Sequence, residues 1–240
     1  MTGRIPRTGV VALVPDRWDG IWMPRHQVMS RLTRHFRVVW VEPADNWRRY
    51  WLPGLKPETS VQNVSPEIPN FDRYVPGRWL PEVYKPRALG DFIRRRRLVR
   101  AVKRLQRVGC DRIVLYLWRP RFAWAADAVP TDVICYHIDD EYQFTSRDIP
   151  EDPIEVGLLR RVDLVIIHSP KLLEKKGGHN TNTMYVPNGV EYPLFSSPCA
   201  EPADLGAISR PRAGYVGVIK SQLDFGMLVD LCTRRSDWSF

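Results

Sequence analysis

The run Tyr136-His137-Ile138-Asp139-Asp140-Glu141 gathers one imidazole and three carboxylates where an apolar, strand-like segment ends. Carboxylates so placed stabilise positive charge developing in a transition state, and a base among them can take the proton of an attacking hydroxyl. His137, Asp139 and Asp140 are therefore the candidate catalytic residues. The competing expectation is a solvated acidic loop capping the next helix, because charged runs usually face water. A metal site is not expected, since adjacent carboxylates in one loop lack ligands converging from a second segment. A second constellation is Pro15-Asp16-Arg17-Trp18-Asp19-Gly20, directly after the apolar run Val10–Val14. Backbone N–H groups at the start of the helix that follows can hold a phosphate, with Gly20 giving the turn its freedom. The alternative is an ordinary connecting turn, and the segment is not the G-x-G-x-x-G of dinucleotide binding.

A third constellation is electrostatic. Residues 85–107 carry ten Lys and Arg and a single acid, Asp91. Leu89, Phe92, Ile93, Val99, Val102 and Leu105 fall near one helical face, which leaves Arg94, Arg95, Arg96, Arg97 and Arg100 outward. A basic amphipathic helix is drawn to anionic lipid by about 1 kcal/mol per cation. Trp47, Tyr50, Trp51 and Trp79 precede it, so the pair has the composition of an interfacial docking surface. Nucleic acid is the weaker alternative, because no nucleic-acid-binding motif accompanies the charge. The whole chain of 240 residues has a net charge of +9, and its first 120 residues alone sum to +14. The five histidines and four cysteines show no ligand spacing. His168 precedes Ser169-Pro170, but the G-x-S-x-G elbow is missing, so structural roles are expected for the other histidines.

Short apolar runs alternating with helical stretches must position these residues. Strands are expected at 10–14, 37–41, 112–117, 132–136, 163–167 and 184–186, with helices at 23–35, 89–107, 120–128 and 154–161. That alternation predicts a doubly wound parallel sheet with helices on both faces. Residues 50–86 hold seven prolines and read as an irregular excursion. Residues 196–210 read as a linker, with a second α/β domain beginning at 211: a strand at 213–219, a helix at 223–233 and no room for a closed core. No apolar run is long enough to span a bilayer, and the first residues lack a signal core, so a cytoplasmic protein is expected.

Three stretches carry a resemblance. Trp22-Met23-Pro24-Arg25-His26-Gln27 is similar to the first loop and helix of the retaining, nucleotide-sugar-dependent glycosyltransferases of GT-B architecture, in particular the family 4-like type. Arg161–Ser169 resembles their "aDlvi..S" strand, and Tyr185–Phe195, with Asn188-Gly189-Val190, resembles their "vpNGVd...F" exit from the first domain. Tyr215-Val216-Gly217-Val218-Ile219 is similar to the strand that often opens their second domain. The resemblance implies a GT-B N-terminal Rossmann-like domain at 1–195, a linker at 196–210 and the start of a truncated donor-binding domain at 211–240. It implies sugar transfer from a nucleotide sugar to a glycan or lipid-linked acceptor in envelope polysaccharide synthesis, with the missing C-terminal half required and no metal or other cofactor. Gly20, Arg25 and Asn188 would contact substrate, Gly217 and Lys220 the donor phosphates, and His137 the donor sugar. Arg94 to Arg97 would dock the chain on the inner face of the plasma membrane. The rival reading is a non-catalytic remnant or a module binding an anionic surface, membrane or nucleic acid.

Overall fold

The computed structural model describes residues 7–52, 68–141, 152–217, 219 and 223–240. Seven parallel strands form one sheet: β1 (Thr8–Leu13), β2 (Arg37–Val41), β3 (Phe71–Tyr74), β4 (Arg112–Leu117), β5 (Val133–Ile138), β6 (Leu164–Ile167) and β7 (Thr183–Tyr185). Their spatial order is β3-β2-β1-β4-β5-β6-β7. Six of the seven lie within a few residues of their expected positions. β3 was not expected, because it sits in the proline-rich stretch; it pairs with β2 through Val38–Val41. Residues 53–67 of that stretch lie outside the described residues.

The central strands are apolar runs because helices cover both their faces. Val11, Leu13, Val39, Val41, Leu115 and Leu117 pack on one side. Val10, Ala12, Val38, Trp40, Tyr116 and Trp118 pack on the other. The first side is closed by α3 (Arg87–Arg107) together with the 3-10 stretch Pro120–Asp127, and the second by α1 (Pro24–Leu32). Between them in sequence, α2 (Trp47–Trp51) is one short turn capped by the Asn46 side chain. Helix α3 approaches its neighbour closely at Gly90, where a Cβ would stand 2.2 Å from the Val83 carbonyl oxygen.

The basic helix departs from its expected facing. Ile93, Leu98, Ala101, Val102 and Leu105 are buried, while Leu89 and Phe92 are exposed. Arg97 is buried against Glu82, and Arg94 is half-buried beside the same carboxylate. Arg95, Arg96 and Arg100 face solvent. The apolar residues of the sequence leave the inward stripe wide enough to admit two arginines, and Glu82 compensates their charge there.

After α4 (Pro153–Leu159), α5 (Pro170–Lys176) and β7, the chain divides into two compact units, residues 1–188 and 189–240. The second contains α6 (Tyr192–Ser196), α7 (Ala203–Gly206) and α8 (Phe225–Arg234). The first two of these helices fall within or beside the stretch expected to be a linker, where Glu201 pairs with Arg210 and Arg212. The strand expected at 213–219 is not formed among the described residues; a single bridge joins Arg212 to Ser239. A lone strand without partners on both sides does not bury enough surface to hold its shape.

Candidate functional site

In an open parallel sheet the order of strands reverses at one place, and ligands sit outside the carboxyl ends of the strands there. Here the reversal lies between β1 and β4. The loops leaving β1, β4, β5 and β6 therefore frame the candidate site.

The loop after β1 is held rigidly. The Trp18 N–H donates to Glu42 Oε1 at 2.9 Å, and Asp19 pairs with Arg73 at 3.0 Å. Arg17 bonds Asp45 at 2.8 Å. The buried Trp18 ring packs among Trp22, His26, Trp40 and Phe71. Its neighbour Gly20 closes a tight turn: its N–H donates to the Arg17 carbonyl at 3.2 Å, where a Cβ would also stand 3.2 Å away. His26 Nε2–H donates to the same carbonyl, and Nδ1 accepts the Met23 N–H. Burial lowers the His26 pKa and keeps it neutral, as this pairing requires.

Arg25 lies beneath this loop, 1% exposed. It bonds Asp16 from the β1 loop and Asp139 from the end of β5. Two of the expected site residues are thus brought together, as an ion pair with each other. A buried guanidinium with two carboxylate partners positions the loops and does not present itself to a substrate. The direct substrate contact expected of Arg25 is not what this placement offers.

His137 is buried in the next layer. Its ring stacks on Trp118 with centroids 4.2 Å apart, and Nδ1 shares a 2.9 Å hydrogen bond with the Tyr116 hydroxyl. Burial pushes its pKa down to about 3, helped by His168 nearby. His137 is therefore a neutral imidazole at ordinary pH, suited to hydrogen bonding and too weak a base for proton abstraction. The Cys135 thiol in the same layer is pushed up to about 12 by burial, so it stays protonated.

The three carboxylates after β5 divide by environment. Asp139 is committed to Arg25. Glu141 is bonded by Lys175 at 3.0 Å and Lys176 at 3.1 Å. Burial raises its pKa, but the two ammonium groups outweigh that and hold it below the usual carboxylate range. Asp140 alone is exposed and makes no ion pair among the described residues; its Oδ1 accepts the Glu141 N–H at 2.8 Å.

His168, set aside as structural on sequence grounds, ends β6 beside this run. Its Nδ1–H donates to the Ile138 carbonyl at 3.0 Å, which fixes the ring and leaves Nε2 as the acceptor. Half-buried at the carboxyl edge, it offers the acceptor nitrogen that a general base would need. The signal was present in the sequence, because His168 leaves an apolar strand just as His137 does, yet no spacing rule pairs residues 31 positions apart. Asn188 is exposed beyond β7; between them the Val186 N–H still donates to the Ile167 carbonyl. Gly217 is exposed in the second unit, its Cβ position filled by the Tyr215 hydroxyl, and Lys220 lies outside the described residues.

Among the described residues no three His, Cys, Asp or Glu side chains are grouped to hold a metal ion. None of their helices is long and apolar enough to cross a membrane. No known protein-family model matches the chain, and no curated protein matches it.

Proposed function

We propose that the chain is the acceptor-side part of a retaining glycosyltransferase that uses a nucleotide sugar. The observation that carries this reading is one strand edge. The pinned β1 loop, neutral His137, exposed Asp140 and oriented His168 lie at the carboxyl ends of β1, β5 and β6 in a sheet whose order reverses beside them. That is where a Rossmann-like sheet receives ligands. In this reading His137 hydrogen-bonds the donor sugar without adding positive charge, which a cationic transition state requires. Asp140 stabilises the charge at the anomeric carbon, and His168 Nε2 takes the acceptor hydroxyl's proton. Gly20, Asn188, Gly217 and Lys220 keep their proposed substrate contacts, and the second domain supplies the donor phosphate site. Titration calorimetry with uridine and guanosine diphosphate sugars tests this. Heat of binding that fails to appear with every donor, for this chain and for this chain with a supplied second domain, removes the enzyme reading.

The acceptor in this reading is a glycan or a lipid-linked glycan, met at the inner face of the plasma membrane. The supporting feature is an exposed aromatic and cationic surface. Trp79 and Trp51 are 68% and 55% exposed, with rings 5.8 Å apart. Phe92, 57% exposed, carries the Arg96 guanidinium over its ring, and Trp79 carries that of Arg78. Tryptophan at headgroup depth with cations beside it is the composition of an interfacial anchor. The same surface would serve a non-catalytic anion-binding module, and donor titration separates the two.

A further inference from the structure

Helix α3 sends two of its arginines inward, and one carboxylate serves both. Arg97 Nη2 bonds Glu82 Oε2 at 2.6 Å, while Arg94 Nε stands 3.5 Å from Glu82 Oε1. The Nε groups of both arginines are buried without a hydrogen-bond partner. Glu42 is half-satisfied in the same way. Its Oε1 accepts from the Trp18 N–H and from Arg73, and its Oε2 is buried with no partner. Buried donors and acceptors left unmade cost about 1–3 kcal/mol each, so the charge on this wall of α3 is only partly compensated by Glu82 and Glu42.

All three residues line one cavity of about 390 Å³ on the α3 side of the β1–β2 edge. That volume falls within the roughly 300–1,000 Å³ of small-molecule sites. Tyr84 and Trp124 add aromatic wall, and exposed Arg121 adds a third guanidinium. Three guanidinium groups face two carboxyls, of which Glu42 has its pKa raised by burial. The surplus is cationic, and guanidinium groups from separate turns and a separate loop suit an anion with oxygens in several directions.

We propose that this cavity binds an organic phosphate. Its phosphate oxygens accept from the guanidinium groups of Arg94, Arg97 and Arg121, and its body lies against Tyr84 and Trp124. The cavity opens at the carboxyl ends of β1 and β2 on the α3 side and shares Glu42 with the β1 loop, whereas His137 stacks on Trp118 on the other side of the sheet; anion binding here does not require that the chain transfers sugar.

The test is titration calorimetry on the full chain at low salt with glucose 6-phosphate, glucose and dihexanoyl phosphatidylglycerol below its micelle concentration. At least one phosphate ester should bind and glucose should not. Preference for the first ester names a soluble ligand and preference for the second a lipid headgroup; either supports the site. Arg94→Gln should weaken binding by about 10-fold or more, on the scale of a lost charged hydrogen bond. Ala44→Phe, which fills the cavity from its wall, should abolish it. Thermal melts identify variants that fail to fold, and Arg121→Gln at its exposed position then takes the place of Arg94→Gln. Absence of heat with both esters, or unchanged affinity in the folded variants, overturns the proposal.

Discussion

Arg25 shows how a residue at a site can work without touching a ligand. It joins Asp16 to Asp139 across 114 positions of chain between residues 25 and 139, in a place nearly closed to water. Removing one partner of a buried ion pair leaves an uncompensated charge, at a cost of about 3–5 kcal/mol. Arg25→Met should therefore lower the unfolding free energy measured by urea titration by that much, while Asp139 loses the partner that holds it. Asp140 belongs to a different case, because it is exposed and unpaired among the described residues. Asp140→Asn should leave the unfolding free energy within about 0.5 kcal/mol of wild type, as surface changes usually do. Within the glycosyltransfer reading, His168→Asn should lower kcat by about 10²–10⁴, the range for a lost general base, with little change in donor affinity. Equal kcat in the two proteins would move the base elsewhere.

At the scale of elements, α3 is two surfaces on one helix. Arg95 and Arg96 face water, whereas Arg97 reaches the Glu82 carboxylate and the Pro81 carbonyl. Binding to anionic vesicles should fall in Arg95→Gln/Arg96→Gln and weaken as salt rises, since such attraction is screened within about 10 Å at 0.1 M. Stability should be unchanged in that double variant. Arg97→Gln should do the reverse, destabilising the fold by on the order of 2 kcal/mol through loss of the 2.6 Å charged hydrogen bond to Glu82, which keeps only its 3.5 Å contact with Arg94. Co-sedimentation alongside thermal melts distinguishes the two effects. Wild type that stays in the supernatant at low salt would end the membrane reading. Gly90 fixes where the helix can begin, and Gly90→Ala should loosen its contact with Val83, because a 2.2 Å approach to backbone cannot be relieved by a side-chain shift.

For the molecule as a whole, buried titratable groups tie stability to pH in opposite senses. His137 has its pKa depressed from 6.5 to about 3 by burial, then by His168. Its contribution is fully present above the unfolded value and is lost as pH falls from 6.5 toward 3, because the unfolded chain gains a proton the fold refuses. At about 1.4 kcal/mol per pKa unit the loss amounts to several kcal/mol. Glu42 runs the other way: burial raises its pKa above 4.5, so its contribution is present below that value and is lost as pH rises through the folded pKa. Urea titrations at a series of pH values should show His137→Gln flattening the acid limb and Glu42→Gln flattening the rise side above 4.5. An acid limb unchanged in His137→Gln would show that the ring is not the group refusing the proton.

The sequence by itself determined the parallel α/β architecture. Runs such as Val10–Val14 and Val38–Val41 are apolar at every second and every intervening position, as a strand covered on both faces requires. It also determined that His137 and the acidic run leave a strand at the carboxyl edge, since that follows from where the apolar residues stop. It left β3 illegible, because Phe71–Tyr74 alternates weakly and is held by pairing with β2 more than by its own pattern. Only the tertiary structure decided that Asp139 is neutralised by Arg25, that Arg94 and Arg97 turn inward to Glu82, and that His168 stands beside His137. These are pairings between residues far apart in the chain. Local pattern fixes which side of an element a residue occupies, but the partner that meets it there depends on how the strands are ordered in space.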